Sequence, residues 1–136
     1  MKVESNLVQI SLNELQDLLN TLDPKTTTNF ALIGPRVTRL SASPANWPKS
    51  LHGRVVYQLT DVPPYLPRQL FRLVRLHDLV LWALHLKGSD AASIAQGFSQ
   101  LTSLDLNTNH VGDAGARAIA EGLDQLTSLN LWGNSH

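Results

Sequence analysis

Three passages of the chain open alike at one fixed spacing, at Leu76, Leu101 and Leu126. Each continues as L-x-x-L-x-L, through Leu79 and Leu81, Leu104 and Leu106, and Leu129 and Leu131. The agreement extends along the first two units at Ala91/Ala116, Ile94/Ile119, Ala95/Ala120, Gly97/Gly122 and Phe98/Leu123. A repeat of this length limits what the chain can become. Each unit is too small to bury its own apolar face, so successive units must stack and roof one another.

The period changes inside a unit. Leu104 and Leu106 sit two apart, so they share one side of a short strand, and Ser103, Asp105 and Asn107 take the other. Ala116, Ile119, Ala120 and Leu123 then fall at i, i+3, i+4 and i+7, one stripe of a helix. Asp113 stands where an N-cap belongs, and Ser89 or Asp90 does so one unit earlier. Asn109 and Asn134 follow their strands at the same place. Either these are plain turn residues, or their buried amides bond backbone groups of their own and the neighbouring turn, forming a ladder. The preceding unit carries Leu84 there, so a ladder begins at Asn109.

Upstream a shorter period appears. Val37–Leu51 aligns with Val56–Leu70, as V-x-x-L, a proline-rich turn, and W/L-P-x-x-L. The segment 1–30 does not repeat. There Ser11–Glu14 reads as a capping box, Leu12, Leu15, Leu18, Leu19 and Leu22 mark an amphipathic helix, and Asp23-Pro24 ends it. The expected organisation is an N-terminal helical cap over 1–30 and a repeat array over 31–136. The array divides into short irregular repeats at 37–75 and longer, regular repeats at 76–136.

From Leu101 to Asn134, the L-x-x-L-x-L-x-x-N strand, the V-G-D-x-G-A turn and the "AIAEGL" helix resemble the ribonuclease-inhibitor-like class of leucine-rich repeats. The proline-rich segments resemble the short bacterial kind, although no Asn follows their strand starts. Similar arrays occur in bacterial proteins, including the repeat portion of Roco-type GTPases. The resemblance implies an α/β leucine-rich repeat solenoid: a curved parallel sheet with helices or extended turns on its convex side. It further implies a non-catalytic module that binds a protein partner on the concave strand face. The face positions are Asp78, Val80 and Trp82; Ser103, Asp105 and Asn107; and Ser128, Asn130 and Trp132. Trp82 and Trp132, two units apart, serve either as binding anchors or as covers for neighbouring side chains. The alternative is the repeat part of a larger signalling GTPase or bacterial effector whose activity lies elsewhere.

Composition bears on partners. The 136 residues carry no net charge, but residues 1–30, 31–87 and 88–136 carry −2, +6 and −4. The basic middle is balanced by the chain's own acidic flanks, so no nucleic-acid partner is expected. No apolar run approaches the ~20 residues of a membrane span. There is no cysteine, which fits a reducing, cytoplasmic setting and excludes thiol chemistry.

The marks of catalysis are missing, and neither enzyme activity nor a cofactor is expected. "GSDAAS" and "GDAGAR" lack the lysine of a phosphate loop, and there is no nucleophile elbow or H-E-x-x-H. His85 and His110, one repeat apart, stack about 5 Å from one another if the units pair as strands. They are two ligands without a third, so no metal is expected. Asp78 and Asp105 raise a paired-carboxylate reading against the plainer one of polar strand residues. Arg68, Arg72 and Arg75 form a basic stripe if that stretch is helical, or a solvated face with Leu70, Leu73 and Val74 inward. Finally, no helix follows the strand of "LWGN". This predicts either a piece of a longer array or self-association through the uncapped last repeat.

Overall fold

The structure, a computed structural model, describes residues 6–35 and 43–134. Over these residues it is an α/β fold built on one six-stranded parallel sheet and three α-helices. In chain order the elements are β1 (Asn6–Ile10), α1 (Leu12–Thr21), β2 (Asn29–Ile33), β3 (Val55–Leu59), β4 (Asp78–Trp82), α2 (Gly88–Gly97), β5 (Ser103–Asp105), α3 (Gly112–Gly122) and β6 (Ser128–Asn130).

The strands do not lie in chain order. The sheet runs β1-β3-β2-β4-β5-β6. The chain steps forward from β1 to β2, back to β3, then forward for the rest. If every crossover keeps the usual right hand, only the backward step must pass over the opposite face. The burial agrees. Leu15 and Leu19 of α1, Leu70 and Leu73 before β4, and Ile94 and Ile119 of the later helices join one core on one side. Trp47 and Leu51, on the backward connection, pack with Ala31, Ile33, Val56, Val80 and Trp82 on the other.

This order corrects the sequential array expected upstream of residue 76. Residues 1–30 hold an edge strand, β1, as well as the helix. Val56–Leu59 does form a strand, but it inserts between β1 and β2. The two x-P-x-x-L segments are both 3₁₀ turns (Lys49–Leu51 and Arg68–Arg72), yet they cover opposite sides of the sheet. Val37–Leu40, the first strand of that alignment, lies outside the described residues.

Local chemistry explains the helix starts. Ser11 caps α1 through a complete capping box: Glu14 N–H donates to Ser11 Oγ at 3.2 Å and Ser11 N–H to Glu14 Oε1 at 3.1 Å. Asp113 is not the N-cap of α3; Val111 holds that place and Asp113 sits in the first turn. Likewise Asp90 lies inside the first turn of α2 and accepts from Lys87 N–H at 2.9 Å. Both acids meet the positive end of the helix dipole instead of serving as the cap. Small residues let α2 and α3 approach: a Cβ on Gly115 would lie 3.0 Å from Gly88 Cα, and one on Gly122 would lie 2.8 Å from Ala95 Cβ.

From β4 onward the bonds recur at constant offsets. Thr102 Oγ1 donates to His77 O, and Thr127 Oγ1 to Thr102 O, both at 3.1 Å and both across 25 residues. Residues 83, 108 and 133 each turn the chain out of its strand with a positive φ, of 57°, 59° and 74°. β2 belongs to the same register. Thr28 O accepts from His77 N–H at 2.9 Å, as His77 O accepts from Thr102 N–H at 2.9 Å.

Candidate protein-binding face

Strand alternation places seven of the nine expected face positions on one side of β4, β5 and β6, while Asn107 and Trp132 follow β5 and β6 in their exit turns. Asp78, Ser103 and Ser128 stand in one row across the sheet, and Val80, Asp105 and Asn130 in the next. The inward leucines line the opposite side: Leu79, Leu81, Leu104 and Leu106 are all buried in the main core.

The nine positions are not equally open. Val80 and Trp82 are 2% and 6% exposed, buried beneath Trp47 and Leu51. The backward connection from β2 to β3 roofs this end of the face, so the β4 positions are removed from the expected binding surface. Asp78 is occupied as well. Its carboxylate pairs with Arg54 Nη2 at 3.4 Å, and the Asn29 amide, oriented to donate, reaches it at 2.8 Å. Trp82 and Trp132 therefore do not form a pair of exposed anchors. Trp132 alone is open, at 73%.

Asp105 marks the boundary. It is 5% exposed, and burial raises its pKa above the ordinary value. The Asn107 N–H, which donates to Asp105 Oδ1 at 3.1 Å, opposes that shift, followed by the side chains of Trp82, Ser50 and Asn130. The enclosed Trp82 indole N–H beside it makes no hydrogen bond of normal geometry. One strand on, Asn130 repeats the turn: its Oδ1 accepts from Trp132 N–H at 2.8 Å. Beyond Asp105 the face opens. Ser103, Asn107 and Asn130 are half-buried, and Ser128 and Trp132 are exposed. The result is a step, with the 43–53 segment as its wall and a floor of hydroxyls and amides ending at an indole.

The turn asparagines hold the strand exits in place. Asn109, 1% exposed, accepts through Oδ1 from Leu84 N–H at 3.0 Å and Leu86 N–H at 3.1 Å. Its Nδ2 donates to Leu81 O at 2.8 Å and Leu106 O at 2.9 Å. Asn134 repeats this one unit on, accepting from Val111 N–H at 3.0 Å and donating to Leu106 O at 2.8 Å and Leu131 O at 3.0 Å. The ladder reading holds and begins at Asn109.

Other candidate chemistry is not assembled. Asp78 stands opposite Ser103 and Asp105 opposite Val80, so the two carboxylates are not a facing pair. The His85 and His110 rings lie 5.3 Å apart, edge to face, as their spacing implies. Among the described residues no group of three His, Cys, Asp or Glu converges. The arginine stripe breaks up: the 3₁₀ turn stops at Arg72, whose Nη1 reaches the Leu19 and Asn20 carbonyls at 3.4 and 3.5 Å near the end of α1. Leu70 and Leu73 turn inward, but Val74 is 55% exposed. Among the described residues no helix is long and apolar enough to cross a membrane.

Residues of the roof, Trp47, Ser50 and Arg54, were not among the expected site positions. The signal for them lay in β4 itself. "LVLWAL" is apolar without alternation, the pattern of a strand covered on both faces, whereas "LDLN" in β5 alternates.

Comparison with protein-family models, with curated proteins and with solved structures returned no match.

Proposed function

We propose that this chain is a non-catalytic protein-interaction module of the leucine-rich-repeat kind. Its units from residue 76 onward stack as a short solenoid, and its partner docks on the strand face of β5 and β6. One observation carries the reading: Trp132, 73% exposed, follows β6 in a turn tied to Asn130, next to strands that present the uncharged Ser103, Ser128 and Asn130. Large aromatics dominate interface energetics, because they bury much area at little entropic cost. The recurring asparagine and threonine bonds support the stacked-unit reading, since they tie each unit to the one before it at a constant offset.

The test is affinity capture from cell lysate with the intact chain. Trp132→Ala and Ser128→Lys are each expected to abolish recovery of a partner that the unaltered chain retains, with the melting temperature unchanged. Equal recovery by both variants would remove the β5–β6 face as the docking surface.

A further inference from the structure

The two flanks of α2 are covered unequally. On one flank α3 runs alongside at close range, admitted by Gly88, Gly115 and Gly122. On the other, the preceding unit supplies the five-residue 3₁₀ turn Arg68–Arg72 where α2 has ten residues. At their usual rises per residue the turn spans roughly 10 Å and the helix roughly 15 Å. The turn is packed against the end of α2. The Phe71 ring stacks on Phe98 at 5.1 Å, and it fills the space beside Gly97, where a Cβ would lie 2.3 Å from Phe71 Cδ1. Beside the start of α2 this leaves a cleft of about 450 Å³.

Leu66, buried, and Phe71, half-buried, give the cleft an apolar floor, and Tyr65, 63% exposed, stands at its mouth. Arg68 enters from the 3₁₀ turn, and Asp90 and Ser93, one helical turn apart, enter from α2. Among the described residues Arg68 has no ion pair or hydrogen bond, and Asp90 has no ion pair. Asp90 accepts Lys87 N–H on Oδ2, which leaves Oδ1 for another donor. Ser93 Oγ gives its proton to Ser89 O at 3.1 Å, which leaves its lone pairs to accept. Opposite charges therefore line one cleft without neutralising each other.

We propose that this cleft binds a small aromatic zwitterion of the free α-amino-acid class. Its volume and its apolar lining with a few polar groups are those of a small-molecule site. The charges choose the ligand. A simple anion would gain Arg68 but meet Asp90, and a simple cation would meet the reverse, so only a molecule carrying both signs matches both walls. The α-carboxylate pairs with the Arg68 guanidinium, whose fork of donors suits it. The α-ammonium, with three donors and no acceptor, gives to Asp90 Oδ1 and Ser93 Oγ. The ring lies over Leu66, against the rings of Tyr65 and Phe71. The cleft is on the helix side of the sheet, so it goes beyond the strand-face reading and stands without it.

Isothermal titration calorimetry of the intact chain with L-phenylalanine, up to about 10 mM, is the test. Saturable binding at one site is expected, with Kd below about 1 mM. Amide NMR shifts should move at Phe71 and Ser93 and stay still at Ser128 and Trp132. 3-Phenylpropionate lacks the ammonium, 2-phenylethylamine the carboxylate and L-leucine the ring, and each should bind about tenfold or more weakly. Arg68→Gln, Asp90→Asn and Tyr65→Ala should weaken L-phenylalanine binding as much. Asp90→Asn keeps an acceptor for Lys87 N–H, so its melting temperature should hold. If a variant fails to fold, the analogue series on the unaltered chain decides alone. Absence of saturation overturns the proposal, as do shifts confined to Ser128 and Trp132. So does equal binding of 3-phenylpropionate or 2-phenylethylamine, which would mean a plain anion or cation site, or of L-leucine, which would remove the ring contact. Equal binding of N-acetyl-L-phenylalanine amide also overturns it, because a peptide segment would then be the occupant.

Discussion

Asn109 and Asn134 meet at one atom: the side-chain nitrogens of both donate to the carbonyl oxygen of Leu106, at 2.9 and 2.8 Å. Leu106 follows β5, Asn109 closes its turn, and Asn134 comes from the next. The shared carbonyl ties two consecutive turns together where the backbone has left its ladder. Asn109 also occupies the N–H groups of Leu84 and Leu86. Asn109→Ala should therefore strand several buried groups at once and cost roughly 3 kcal/mol or more. Asn134, half-buried, should cost about 1 kcal/mol on the same change. Urea denaturation of the two variants measures the difference, and equal losses would contradict the ladder's inner anchoring.

The roof over β4 makes a second prediction. Trp47 is 4% exposed and packs on Val80 and Trp82. Trp47→Ala should cost about 3–5 kcal/mol, the range for removing a large buried aromatic. Trp132→Ala should stay within about 0.5 kcal/mol of the parent, as surface substitutions do. Thermal or urea unfolding of the pair distinguishes a structural from a surface tryptophan.

Asp105 gives a pH dependence of unusual sign. Its pKa is raised in the folded state, chiefly by burial, so in that window the native chain holds more protons than the unfolded chain. Its contribution to stability therefore falls as pH rises from the ordinary value of 3.8 to the raised one. The loss is complete above that window. Asp105→Asn should flatten this part of the stability–pH curve and raise the denaturation midpoint at neutral pH, since a neutral amide avoids the cost of burying charge. A variant less stable than the parent at neutral pH would show that the bonds to the carboxylate outweigh its desolvation.

Gly34 offers a sharp steric test. A Cβ there would lie 2.1 Å from the carbonyl oxygen of Ala83, and Gly34 N–H donates to Trp82 O at 2.8 Å. The added methyl would meet backbone atoms, so no side chain can swing aside. Gly34→Ala should cost about 4 kcal/mol or more, the range reserved for severe packing or strain defects. A near-neutral result, read by chemical denaturation, would place β2 farther from the β4 exit.

The part of the fold legible in the sequence is the part built from short-range periodicity. The inward strand leucines Leu79, Leu104 and Leu129, the helix stripes of α2 and α3, the capping box at Ser11 and the amide ladder all follow from spacing, because each is decided within one unit and its neighbour. What escaped was strand order. "NFALIG" in β2 carries Phe30 and Leu32 where β4 carries Leu79 and Leu81, and Thr28 where β4's unit has His77. β3 and its long connections separate these two kindred strands in the chain, so a search at the repeat period passes over them. The roofed half of the strand face was missed for the same reason. Alternation tells which side a residue takes, but covering that side depends on a long-range return of the chain at Trp47 and Leu51.

Hydrogen exchange at the three tryptophan indoles, read by NMR, tests the central claim of a strand face roofed at β4 and open at β6. The Trp132 indole N–H should exchange as a solvent-exposed group, while that of Trp82, enclosed beside Asp105, should be strongly protected. Comparable exchange at Trp82 and Trp132 would contradict the roof, and with it the confinement of the proposed binding face to β5 and β6.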